Sequence, residues 1–202
     1  MHHYSLSLLL FVLAAPSTWA QLPPDTATYV VPSVWRVDFL GLGGIHERRL
    51  GPKVTLNSGL HFGSQFMAAG GSVRFPDPNR TYWSYQLFPV VHTGVRYFYN
   101  FDRRLGMGKS IRYNSGNYLS GRLLYRFPPL LERYDAGPLS SPSTFGIEGL
   151  WGFQRTYRRY FYLNLSLGIG LYTLRTGAYP VRGAGDFTIG YTFPNKRATG
   201  AQ

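Results

Sequence analysis

Between Tyr160 and Tyr172 the chain reads YFYLNLSLGIGLY and alternates without a break. Phe161, Leu163, Leu165, Leu167, Ile169 and Leu171 fall on one face. Tyr160, Tyr162, Asn164, Ser166, Gly168, Gly170 and Tyr172 fall on the other. A period of two marks a β-strand with one apolar face. The segment is long for a soluble strand and suits a membrane-spanning one, which needs ~9–11 residues plus its ends. Glycine, serine and asparagine on the second face suit the crowded polar interior of a small barrel. An open sheet edge cannot survive in lipid, so one such strand implies a closed set of them.

Further segments alternate in the same way. Trp35, Val37 and Phe39 oppose Arg36 and Asp38; Val54, Leu56, Leu60 and Phe62 oppose Thr55, Asn57, Gly59, His61 and Gly63. Leu87, Val91, Val95, Tyr97 and Tyr99 oppose Gln86, His92, Gly94 and Arg96. Leu119, Leu123, Tyr125 and Phe127 oppose Tyr118, Ser120, Arg122 and Arg126. Phe145, Ile147, Trp151 and Phe153 oppose Gly146, Glu148, Gly152 and Gln154, and Phe187, Ile189, Tyr191 and Phe193 oppose Asp186, Thr188, Gly190 and Thr192.

Short connections (Leu50 to Lys53, Tyr157 to Arg159) alternate with long ones (Met67 to Arg80, Pro128 to Pro142, Thr173 to Gly185). That is the outer-membrane pattern of short periplasmic turns and long outer loops. Phe101 to Asn114 is a medium connection in a periplasmic position, carrying Arg103, Arg104, Lys109 and Arg112. Both chain ends should be periplasmic, so the strand number should be even. A tight turn at Gly41-Leu42-Gly43-Gly44 then separates an upward strand, about Tyr29 to Leu40, from a downward one, Gly43 to Leu50. The expectation is an all-β fold: an eight-stranded antiparallel transmembrane up-and-down β-barrel.

Charged residues make up 15 % of the chain and aromatics 17 %. A soluble domain usually carries ~25 % charged residues, whereas few charges with many aromatics suit a lipid-facing surface with interfacial girdles. The net charge of +12 raises nucleic acid as a partner, but no Lys/Arg run exceeds two residues, and no nucleic-acid role is expected. Residues 1–20 look like a signal peptide: an apolar run from Leu6 to Ala15, Pro16, then small residues suited to cleavage before Gln21. The n-region lacks Lys and Arg, and the competing reading is an uncleaved anchor. Residues 21–193 would form the barrel domain and 194–202 a short tail. Cysteine is absent, which excludes disulfides and thiolate metal sites.

A soluble lipocalin-like barrel would also alternate, with its charged face outward. Here the polar face holds glycines and isolated arginines rather than dense Lys/Glu, which favours the membrane reading. Arg36, Asp38, Glu47, Arg49, Arg96, Arg122, Arg126, Glu148 and Asp186 should then form a charge network in the lumen, with His61 and His92 beside them. Buried charges must pair, so the acids should neutralise arginines and plug the barrel. Phe161, Leu163, Leu165, Leu167, Ile169 and Leu171 should face lipid. The alternative is a lipid-modifying barrel enzyme, acyl-transferring or deacylating, built on His61, Ser64 and Glu148. No Gly-x-Ser-x-Gly elbow accompanies them. His46, His61 and His92 lack ligand spacing, and no metal or cofactor is expected.

The runs VRYFYNFDRR (Val95 to Arg104) and SGNYLS (Ser115 to Ser120) resemble small outer-membrane β-barrel proteins of Bacteroidota, a group largely known only as barrels of unknown function. FLGLGGIHERRLG (Phe39 to Gly51) resembles that family's first hairpin, where a tyrosine–glutamate pair precedes arginine. His46-Glu47-Arg48 stands in that place here, without the tyrosine. The resemblance implies an OmpX-like or OmpA-like fold without a peptidoglycan-binding domain, and no known activity. The last strand resembles the signal read by the barrel-assembly machinery: Asp186, Tyr191 and Phe193 match it, with Thr188 in its glycine position. The chain is thus expected to be an integral outer-membrane protein, with membrane lipids and that machinery as partners and a structural or surface-interaction role.

Overall fold

Consecutive alternating segments pair side by side and close on themselves. The computed structural model describes residues 29–69, 82–134, 143–173 and 180–193; the proposed signal and tail, and most of the three long connections, lie outside them. Among the described residues nine strands form one antiparallel sheet: β1 (Ser33–Asp38), β2 (Gly43–Arg49), β3 (Val54–Ala69), β4 (Tyr82–Phe98), β5 (Asn117–Arg126), β6 (Leu131–Tyr134), β7 (Thr144–Thr156), β8 (Phe161–Tyr172) and β9 (Val181–Phe193). β1 pairs with β9, setting Trp35 opposite Phe193, and β3 pairs with β4 along its length, so the sheet is a ring. β5 and β6 share one edge of β4, β5 along Val90–Phe98 and β6 along Ser84–Leu87.

The ring is polar inside and apolar outside. Along β7, Thr144, Gly146, Glu148, Leu150, Gly152 and Gln154 are buried, while Phe145, Ile147 and Trp151 are exposed between them. On β8, Tyr162, Asn164 and Ser166 are buried, whereas Leu167 is 58 % and Ile169 64 % exposed. Phe161 and Leu171 are also exposed, and Leu163 and Leu165 are half-buried on the same outer face. A water-soluble protein buries such side chains, each worth ~1.5–3 kcal/mol on full burial. Here the fully buried positions include the polar Arg36, Glu47, Thr55, Gln154 and Asn164.

Among the described residues, the two clusters of buried hydrophobic side chains lie at one end, with the short turns. There the connection after β4 folds inward as a cap. Helix α1 (Phe101–Gly106) places Phe101 against Phe98, their rings stacked at 4.9 Å, and Val30 and Tyr118 complete the cluster. A tight turn at Arg112–Asn114 follows, with Tyr113 and Asn114 in left-handed conformations (φ 51° and 63°). Such angles are uncommon for residues other than glycine. Interior contacts hold them: Arg36 Nη2 donates to the Tyr113 carbonyl at 2.8 Å, Gln154 Nε2 donates to that of Asn114 at 2.9 Å, and Asn114 Oδ1 accepts from Val31 N. Tyr113 also packs with Val31 and Val34. At the cap's edge Lys53 pairs with Asp102, holding that carboxyl below its usual range.

Three details depart from the sequence reading. The first turn lies at Phe39–Leu42 rather than at Gly41-Leu42-Gly43-Gly44, with Leu42 at φ 41°. Gly43 is instead the first residue of β2, where a Cβ would lie 2.4 Å from that of His61. β1 starts after Pro32, later than Tyr29, and ends at Asp38. Three supposed loops contain strand. Met67 to Ala69 still belongs to β3 and pairs with Ser84 to Tyr82 of β4. Pro128 and Pro129 supply no backbone N–H and interrupt the edge, but pairing resumes as β6. Val181 to Gly185, glycine-rich and read as loop, pairs with Leu171 to Leu167 of β8.

Candidate functional site

The inward polar residues form two networks stacked along the interior. The one nearer the cap centres on Glu47. Arg36 Nη1 donates to Glu47 Oε2 at 2.5 Å, and Thr55 Oγ1 donates to Oε1 at 2.7 Å. Gln154 Nε2 reaches Glu47 Oε2 at 3.2 Å, while Gln154 Oε1 accepts from Arg96 Nη1 at 2.8 Å. One carboxylate thus serves one arginine directly and a second through an amide. The guanidiniums also lie over aromatic faces, Arg36 over Tyr162 at 4.6 Å and Arg96 over Tyr118 at 4.5 Å. Such contacts gain strength where water is excluded. Tyr118 OH donates to Asn164 Oδ1 at 2.7 Å.

The second network lies farther from the cap. Arg122 Nε and Nη2 both reach Glu148 Oε2 at 2.6 Å, and Tyr172 OH donates to Oε1 at 2.6 Å. Arg122 Nη1 extends to Asp186 Oδ2 at 3.4 Å. Arg122 and Glu148 are directly opposed across β5 and β7, as adjacent strands of an antiparallel meander require. Gly146 and Gly170 make room for Tyr172: a Cβ at either would fall 2.7–2.8 Å from its ring. His92 Nε2 meets Asn57 Oδ1 at 3.1 Å, with its ring 5.4 Å from that of His61.

The charged residues singled out from sequence occupy this interior unevenly. Arg36, Asp38, Glu47, Arg96, Arg122 and Glu148 are buried. Asp186 is partly exposed. Arg126 donates to Thr144 Oγ1 at 3.1 Å and lies over Phe88. Asp38 accepts the Leu40 N–H rather than an arginine. Arg49 is half-buried at the end of β2, and among the described residues it forms no ion pair. On β9, Asp186 points inward, while Tyr191 and Phe193 stand outside with rings 5.3 Å apart.

His61, Ser64 and Glu148 do not meet. His61 and Glu148 are inward; Ser64, three residues beyond His61, is on the exposed outer face opposite Leu87. His46 is also outside, stacked on Trp35 at 4.4 Å. Among the described residues no cluster of histidines and carboxylates has metal-binding geometry.

Sequence reasoning placed Gln154 on the inward face without seeing it as the hub between Glu47, Arg96 and the cap. It also missed the cap. The one available signal was the run RYNSGN (Arg112 to Asn117), which is too long and too polar for a tight turn. Compared with known proteins, the chain matches no family model, no curated protein and no solved structure.

Proposed function

We propose that the chain is an integral outer-membrane β-barrel whose lumen is plugged and whose role is structural or surface-interacting. The observation that carries this is the inversion of the ring: Leu167, Ile169, Phe187, Ile147 and Leu123 are exposed outside, while Arg36, Glu47, Gln154 and Glu148 are buried inside. Lipid rewards that arrangement and water penalises it. Counting β5 and β6 as one interrupted strand, the barrel has eight, the size whose interior side chains just fill. The two charge networks and the cap then block an aqueous path. The cap and short turns are taken as periplasmic. The long connections on the opposite side are the places for contact with a surface partner. The resemblance to small Bacteroidota barrels agrees with this reading and adds no activity. The split of His61 and Glu148 from Ser64 gives the acyl-transfer reading no support.

The test is fractionation of expressing cells with gel migration before and after heating. The protein should sediment with outer membranes, resist carbonate extraction and migrate faster unheated than boiled. Recovery in the soluble fraction with heat-independent migration would refute the proposal.

A further inference from the structure

We infer that the capped end carries a basic collar that binds the headgroups of anionic phospholipids in the adjoining leaflet. The inference rests on the membrane reading above and names the lipid that this end takes. Arg48, Arg103, Lys109, Arg112 and Arg158 are exposed around the cap and the short turns. Among the described residues the exposed carboxylate at this end is Asp102, already taken by Lys53, and Glu47 is sealed inside with Arg36. The collar is therefore uncompensated from within. The opposite end differs: among the described residues Glu132 stands there beside Arg133 on β6.

Two further observations favour a lipid surface over a soluble polyanion. A belt of exposed aromatics adjoins the collar on the outer face: Trp35, Tyr97, Tyr99, Trp151 and Phe193, with Trp151 Nε1 donating to Tyr99 OH at 2.7 Å. Rings with one wet edge settle at the membrane–water interface, so the cations just beyond them stand at phosphate depth. Leu105 near the end of α1 and Met107 just after it are exposed between Arg104 and Lys109. Apolar side chains among cations gain from a headgroup–acyl boundary and gain nothing from a polyanion in water. Each cation near an anionic surface adds attraction that salt screens.

The test uses the full chain with Trp19 and Trp83 replaced by Phe, so that Trp35 and Trp151 report from the collar's edge. It is folded into phosphatidylcholine vesicles containing brominated phosphatidylglycerol or, separately, brominated phosphatidylcholine. The anionic lipid should associate about fivefold more strongly, the factor that one surface cation contributes. The preference should vanish in about 0.5 M salt. It should also vanish in the R103Q/K109Q/R112Q/R158Q variant, with quenching by the neutral lipid unchanged. If that variant fails to fold, the salt titration of the parent decides alone. Equal quenching by the two lipids at low salt would overturn the inference and leave the membrane reading standing, and capture of soluble polyglutamate in that case would mean an acidic macromolecule is the partner. Absence of quenching by either lipid would overturn both readings.

Discussion

Replacing Glu47 with Gln keeps the volume of the side chain and removes its charge. Glu47 and Arg36 are both fully buried at the side chain, so solvent screening does not reduce the effect. Removing one partner of a buried pair costs about 3–5 kcal/mol, because the other charge is left uncompensated. The lower end of that range applies here. Gln can still accept from Thr55, and Arg36 keeps the Tyr113 carbonyl and the Tyr162 ring. The complementary change, Arg36→Met, should cost less, because Glu47 retains Thr55 and Gln154. The double variant should recover part of the loss, giving a coupling of about 1.5 kcal/mol or more. Urea unfolding from vesicles, followed by the loss of the fast-migrating unheated band, measures all three. Single effects that add within about 0.5 kcal/mol would refute the reasoning and mean that water screens the pair.

Ile169→Arg, at the outer-face position taken as deepest in the bilayer, should destabilise the inserted protein by about 2–4 kcal/mol, while Ser166→Ala should be mild; equal effects in vesicle-folding titrations would reverse the inside–outside assignment. Gly168→Ala should cost about 1–3 kcal/mol, because its Cβ would fall 1.9 Å from the Gly149 carbonyl oxygen, whereas Gly183→Ala meets nothing and should be neutral in the same titrations. Asp102 has a folded pKa below its unfolded one, through the hydrogen bond from Lys53 and then that from Tyr29. Its contribution is therefore complete above about pH 4 and lost as pH falls through the lowered value. Amide exchange in α1, corrected for intrinsic rate, should rise only below about pH 4, and a rise between pH 5 and 7 would contradict the assignment.

The parts of the fold that were legible in the sequence are those governed by period two. The faces of β7 and β8, the inward arginines and the opposition of Arg122 to Glu148 all follow from alternation and from neighbouring strands lying side by side. What was not legible depends on contacts distant in sequence. Val181 to Gly185 has a loop's composition and becomes strand only because β8 offers it a paired edge. β6 resumes beyond two prolines because β4 extends past them. The left-handed Tyr113 and Asn114 are tolerated because Arg36, Val31 and Gln154 bind them, and no local pattern signals that. Pairing within the charge networks was visible as a necessity, but the role of Gln154 as their bridge required the geometry.

The central claim is that the outer face of the ring lies in lipid, and depth-resolved quenching tests it most directly. Variants carrying one tryptophan each, at Trp35, at Trp151 or introduced by Ile169→Trp, are folded into vesicles of lipids brominated at successive positions along the acyl chain. The account predicts that the residue introduced at Ile169 is quenched most by deep bromines, and Trp35 and Trp151 most by shallow ones. Equal weak quenching of all three at every depth would place the ring in water and contradict the account.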